Sequence, residues 1–201
     1  CGGFNDTVVA RAQAYCEEHP ETELWVLGAR AERLLRRAER EVAWSASLAT
    51  SALPPFALAF DLTRRWLSAF EDEMLDTVHV VYNAYHGAGR YEPTVVSLIP
   101  PEPPSTESAS GLQDQVILET DPLSLYTRIV EQWAAIDMYT RLLDSAASEH
   151  ATRYQLMEGA AQNAERLIDD LTAELQAIRR QQITQEMQEL AAGAGLLGDD
   201  A

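Results

Sequence analysis

The apolar and polar positions of this chain fall into two regimes. Up to about residue 120, short apolar runs alternate with amphipathic stretches; beyond it, a single helical pattern continues almost to the end. Residues 6–19 carry Val8, Val9, Ala12 and Tyr15 at helical spacing behind two capping candidates, Asn5 and Asp6, and Pro20 stops that helix. Residues 23–29, with Leu24, Trp25, Val26 and Leu27 in succession, read as a strand covered on both faces. A short basic-faced helix over 30–40 carries Leu34 and Leu35, and a second strand over 41–47 carries Val42 and Trp44. After a linker at 50–55, Leu58, Leu62, Trp66 and Phe70 mark a helix over 55–75. Val78, Val80 and Val81 mark a strand over 77–84, and the turn at Gly87 and Gly89 returns the chain as a hairpin arm over 91–99. The proline-rich stretch 100–111 is a solvated loop, and 115–119 is expected to add one more strand.

The second regime begins with a strong start signal. Asp121 can cap the first free N–H groups, and Pro122 suits the first helical position, where its missing donor is not needed. No proline follows, so 121–194 is expected to form one helix, roughly 110 Å long at the usual rise. Steps of three and four from Trp133 give Ile136, Thr140, Leu143, Ala147, His150, Tyr154, Met157, Ala161, Ala164, Ile168, Leu171, Leu175 and Ile178. This seam, with a period near 3.5 and interrupted by Thr140 and His150, predicts half of a left-handed coiled coil. The rest of the chain offers no second heptad run. The partner is therefore absent, another subunit or a second copy. After Ile178 the stripe steps by five to Ile183, Met187 and Leu190 and so turns to another side of the helix.

Together these patterns predict an α/β fold: a small three-layer, mostly parallel sheet domain with an antiparallel hairpin over residues 1–120, then a very long C-terminal coiled-coil helix over 121–201 with a frayed end. The chain opens on Cys1-Gly2-Gly3-Phe4-Asn5 as if inside a turn, and is expected to be a fragment.

Composition narrows the chemistry. A formal charge of −17 opposes a sequence-independent grip on nucleic acid and points to protein partners. All fifteen basic residues are Arg, which removes phosphate-loop and Schiff-base lysines from consideration. Cys1 and Cys16 are too few for a disulfide framework and fit a reducing compartment. No apolar run approaches the ~20 residues that span a bilayer, and the opening residues lack the pattern of a signal peptide.

Few residues make a chemical site. Cys1-Gly2-Gly3 reads better as a tight turn than as a phosphate-binding one, and the Gly87–Gly89 turn as a hairpin rather than a nucleotide loop. Glu71, Asp72 and Glu73 point in three directions from a helix and read as a solvated face. His19, His79, His86 and His150 lack zinc spacing; His150, on the seam, reads as a packed core histidine before a register or pH device. No catalytic residue, cofactor site or metal site is expected.

Several stretches resemble a known family. The run Ile183-Thr184-Gln185-Glu186-Met187-Gln188-Glu189-Leu190 with Gly193 resembles the C-terminal signature of the F-type ATP synthase gamma subunit, the central rotor shaft. Ser148-Glu149 with Ala151 and Arg153, Asn163-Ala164 with Leu167-Ile168-Asp169-Asp170-Leu171, the opening Cys1-Gly2-Gly3-Phe4-Asn5, and Pro93-Thr94 with Leu98 and Pro100 extend the resemblance over the whole chain. It implies a non-catalytic subunit that transmits torque between an ion-driven membrane ring and a catalytic ring. The implied neighbours are the alpha and beta subunits, the epsilon subunit and the c-ring. The implied coiled-coil partner is the protein's own N-terminal helix, which with a first strand precedes the cysteine-glycine-glycine turn in the family. Location at the cytoplasmic side of a bacterial inner membrane, as a peripheral component, is implied as well. By position, Arg153, Arg179, Thr184, Gln185 and Glu186 correspond to places where the family's shaft meets the catalytic ring.

Three features depart from the family pattern: Gln155-Leu156-Met157-Glu158-Gly159 replaces a basic methionine-lysine stretch, Ala161-Gln162 replaces Thr-Asp, and the region from Pro122 onward is acidic rather than basic. They point to a divergent or alternative type of the enzyme, with proton and sodium coupling both open. The rival reading is a standalone α/β adaptor that dimerises through its long helix; a small α/β hydrolase or nucleotide-binding protein is the enzyme-class rival.

Overall fold

The computed structural model describes residues 3–48, 52–87, 89–101 and 119–194. Among these residues eight elements follow one another: α1 (Phe4–Glu18), β1 (Trp25–Leu27), α2 (Ala29–Arg37), β2 (Trp44–Ala46), α3 (Phe56–Glu71), β3 (Val78–Tyr85), β4 (Tyr91–Ile99) and α4 (Pro122–Gly193). The chain divides into two compact units, Cys1–Arg153 and Tyr154–Ala201.

In the first unit, β1 and β2 pair in parallel, with Trp25 opposite Trp44, and α2 makes the crossover between them. Gly28 opens that crossover at φ +121°, a backbone conformation that L side chains rarely adopt. The strands form three layers because side chains alternate along β1. Val26 packs with Val9 of α1 and Leu35 of α2 on one face. Trp25 and Leu27 join the larger core on the other, made by Ala59, Leu62 and Leu67 of α3, Leu98 and Ile99 of β4, and Ala134 and Met138 of α4. Arg65 lies over the Trp25 ring at 5.7 Å, so the indole is covered by a cation as well as by carbon.

β3 and β4 form the antiparallel hairpin, with Pro93 opposite Asn83. A proline has no N–H to give the ladder, so this pair is a non-hydrogen-bonded one. The backbone groups of Asn83, and by the period of two those of Val81 and Tyr85, therefore point away from β4. Part of that outer edge is taken by α4. Ser148 donates its hydroxyl to the Asn83 carbonyl at 3.1 Å, and the Tyr85 N–H donates to Asp144 at 3.2 Å.

The hairpin arm 91–99 lies where the sequence places it. Other elements differ in extent. β1 and β2 have three residues each, shorter than their apolar runs, because the parallel ladder covers only Trp25–Leu27 and Trp44–Ala46. The start of α1 is not capped by Asn5 or Asp6: Gly3 stands at its N-cap, and no side chain caps it. The helix begins two residues earlier than expected because Phe4 is buried and its carbonyl accepts hydrogen bonds from Asn83 and Thr7. The strand expected at 115–119 falls almost wholly outside the described residues, as do Cys1 and Gly2. Asp121 does cap α4, accepting from the Ser124 N–H and hydroxyl, both at 2.9 Å.

Candidate interaction surfaces

Within the first unit α4 has two distinct faces. Ala134, Ala135, Met138 and Ser148 are buried against the domain. Trp133, Ile136, Thr140, Leu143, Ala147 and His150 follow the same period on another flank, since Ile136 is offset from Ala134 by ~200° around the helix. Trp133, Ile136, Thr140, Ala147 and His150 are exposed there, and Leu143 is half-buried. His150 is thus not a packed core histidine in this unit: its ring faces solvent, 3.5 Å from the Arg153 guanidinium. It stands on the flank that the domain leaves uncovered.

The second unit consists of helix with no neighbour among its described residues. Tyr154, Met157, Ala161, Ala164, Ile168, Leu171, Leu175 and Ile178 are all exposed, with Tyr154 at 68% and Ile168 at 62%. So are Ile183, Met187 and Leu190. An apolar row of this length in water is a surface waiting for a partner, since each large side chain left out forgoes ~1.5–3 kcal/mol of burial.

The five polar residues expected to meet a partner ring occupy helical positions of ordinary geometry. Arg153 pairs with Glu149 at 2.6 Å, one turn back. Thr184 donates to the Arg180 carbonyl at 2.8 Å and Gln185 to the Glu189 carboxylate at 3.0 Å, both within the helix. Arg179 and Glu186 are exposed. Thr184, Gln185 and Glu186 are consecutive and point to different sides of the helix, and Arg153 and Arg179 lie turns away, so the five are separate polar positions rather than a clustered site.

A second surface was not legible in the sequence. β1 pairs only with β2 and β3 only with β4, so each has an edge with no strand partner among the described residues. Both strands line one cleft of about 1340 Å³ in the first unit, walled by Val26, Leu27, Val80, Val81, Leu62 and Met138. Arg141 also lines it; its Nε atom is buried without a hydrogen-bond partner, while its guanidinium pairs with Asp137 at 2.7 Å. A cleft bordered by unpaired strand edges, apolar at its walls and charged where Arg30, Arg65 and Glu149 line it, fits an extended peptide segment. The only early signal was that the apolar run around β1 read as a strand covered on both faces.

Among the described residues no three His, Cys, Asp or Glu side chains come together for a metal, and no helix is long and apolar enough to cross a membrane. Cys16 is half-buried and free, its thiol pushed up by burial against a smaller opposing pull from Arg40.

Comparison with known proteins fits these surfaces. The family model described as ATP synthase matches residues 1–197. The chain is 31% identical over 202 residues to the ATP synthase gamma chain of Rubrobacter xylanophilus and 29% identical over 198 residues to that of Pelotomaculum thermopropionicum. Each match covers 98% of this chain and 69% of the relative. In fold it resembles a chain of the Tetrahymena thermophila mitochondrial ATP synthase central stalk and c-ring (TM-score 0.61, 19% identity, covering 80% of this chain and 70% of that one). It also resembles a chain of the Euglena gracilis mitochondrial ATP synthase rotor (TM-score 0.56, 16% identity, 91% and 70%). A domain holding a parallel strand pair and a hairpin, an uninterrupted 72-residue terminal helix and a family match over nearly every residue agree: the chain belongs to the ATP synthase gamma family.

Proposed function

We propose that this chain is the shaft part of an F-type ATP synthase rotor, a non-catalytic component that passes torque between an ion-driven membrane ring and a catalytic ring. The observation that carries the reading is the seam from Trp133 to Ile178, exposed in each unit and matched by no second heptad run in the chain. A stiff two-helix shaft needs that edge covered by a second helix. We assign the covering helix to the N-terminal helix of the same protein, and the cleft between β1 and β3 to the strand that follows it. A strand there has two edges to bond, apolar walls, and a carbonyl to offer the unpartnered Arg141 Nε.

In this reading the alpha and beta subunits hold the nucleotide and surround the later part of α4, where Arg153, at the end of the first unit, and Arg179, Thr184, Gln185 and Glu186 of the second form and break polar contacts as the shaft turns. The epsilon subunit and the c-ring meet the domain, at the cytoplasmic side of a bacterial inner membrane. Either proton or sodium flow serves this mechanics, in either direction of ATP turnover. The experiment is reconstitution of the full-length protein with alpha and beta subunits and the membrane ring in vesicles. Deleting residues 183–190 should leave ATP hydrolysis poorly coupled to ion transport; undiminished coupling rejects the assignment of the tip. The adaptor reading uses the same seam, with a second copy as its cover. Light scattering of the chain alone separates the two, because an adaptor gives a defined dimer.

A further inference from the structure

Torque between a domain and a helix must cross the joint between them, and in the first unit that joint has two kinds of contact. Ala134 and Met138 pack against the core of α3 and β4, with Val130, Tyr139 and Leu142 beside them. Apolar packing, together with Tyr139 edge-on to Phe56 at 5.3 Å and Arg141 over the Tyr82 ring at 5.8 Å, fixes direction less sharply than hydrogen bonds do. The other contacts are directional. Ser148 donates to the Asn83 carbonyl at 3.1 Å, and Asp144 accepts from the Tyr85 N–H at 3.2 Å.

The two bonds match in spacing. Residues four apart on a helix are ~6 Å apart along its axis, and residues two apart on a strand are ~6.8 Å apart. Asp144 therefore meets Tyr85 where Ser148 meets Asn83, with α4 running antiparallel to β3. The joint is also braced from behind. Ser148 and Asn83 are both fully buried, and the Asn83 amide donates to the Phe4 carbonyl at 2.8 Å, while the Thr7 hydroxyl donates to the Asn83 side-chain oxygen at 3.5 Å. Asn83 thus ties the first turn of α1, the hairpin and α4 at one point.

We infer that Asp144 and Ser148 are positioning residues that lock the roll of α4 against the outer edge of β3, so that turning force passes between domain and shaft through this pair of hydrogen bonds. The inference rests on the rotor reading above. It is tested in the full-length protein, reconstituted with the catalytic subunits and the membrane ring in vesicles, by the ratio of ions pumped to ATP hydrolysed. A purely structural loss lowers the amount of assembled enzyme and both rates together, leaving that ratio unmoved. In Asp144→Ala/Ser148→Ala the ratio should fall by at least about fivefold, the factor that goes with losing just one of the two hydrogen bonds removed. Asp144→Asn and Ser148→Thr, which keep the acceptor and the hydroxyl, should preserve it.

An unchanged ratio in the double variant overturns the inference. If the double variant does not assemble, Asp144→Ala alone is decisive, because an exposed hydrogen bond contributes little to folding: a lowered ratio supports the lock and an unchanged one overturns it. A wild-type protein that hydrolyses ATP without pumping refutes the rotor reading instead, and is told apart by needing no substitution.

Discussion

Asp121 and Ser148 make the same kind of bond at very different sequence distances. Asp121 takes two hydrogen bonds from Ser124, three residues on, and these hold its carboxyl below the ordinary aspartate range. A carboxylate depressed in the folded state adds stability that is full above its unfolded pKa and is lost as pH falls through the folded value. The Ser124 amide resonance should therefore titrate with a midpoint below that of a free aspartate, and Asp121→Ala should abolish that titration and fray the first turn of α4. Being local, this cap could be read from residue order alone. Ser148 bonds Asn83 across 65 positions, and nothing about a serine within an amphipathic helix announces such a partner. In the core, Leu98 is 2% exposed and seated between α3 and α4. Leu98→Ala should lower the unfolding free energy by ~2–5 kcal/mol in urea melts of the chain.

At the scale of elements, legibility followed how local each determinant was. The second arm of the hairpin could be placed to the residue, and the first, expected over 77–84, lies one residue on at Val78–Tyr85, because apolar alternation and a glycine turn act within one short segment. The extents of β1 and β2 could not, since a strand is as long as the ladder it shares, and their partner register is a tertiary fact. The apolar row from Trp133 to Ile178 could be counted in the sequence, because a heptad spacing needs no neighbour. Which side of α4 faces the domain was not legible, because Ala134, Ala135 and Ser148, three of its four buried residues, carry little hydrophobic signal and Met138 alone does not mark a face. The exposure of the second unit makes its own prediction. With no tertiary contact among its described residues to support it, its helix depends on intrinsic propensity, and most helical stability in proteins comes from packing. Hydrogen exchange of the chain alone at low concentration should show amides 161–178 far less protected than those of β3 and β4, with protection rising on assembly with alpha and beta subunits. Strong protection in the dilute chain would mean that the seam has found a copy of itself.

For the molecule as a whole, the uncovered seam and the open cleft expose apolar surface on a chain whose charge of −17 keeps copies apart. Light scattering of the isolated chain should accordingly report monomers at low salt and polydisperse association, without a fixed stoichiometry, as salt screens that repulsion. A sharp dimer at every salt concentration would favour the adaptor.

The proline-free continuity of α4 has one more consequence. The seam of the second unit is a phase relationship, kept by counting residues rather than by any contact that could correct an error. A single residue inserted between Ala161 and Ala164 would rotate every later side chain by ~100° and split the apolar row into two misaligned halves, although the helix would lengthen by only ~1.5 Å. Seven residues inserted at the same point would lengthen it far more and bring the halves back to within ~20° of alignment. In this protein the tolerance of the shaft to insertion should therefore follow divisibility rather than size.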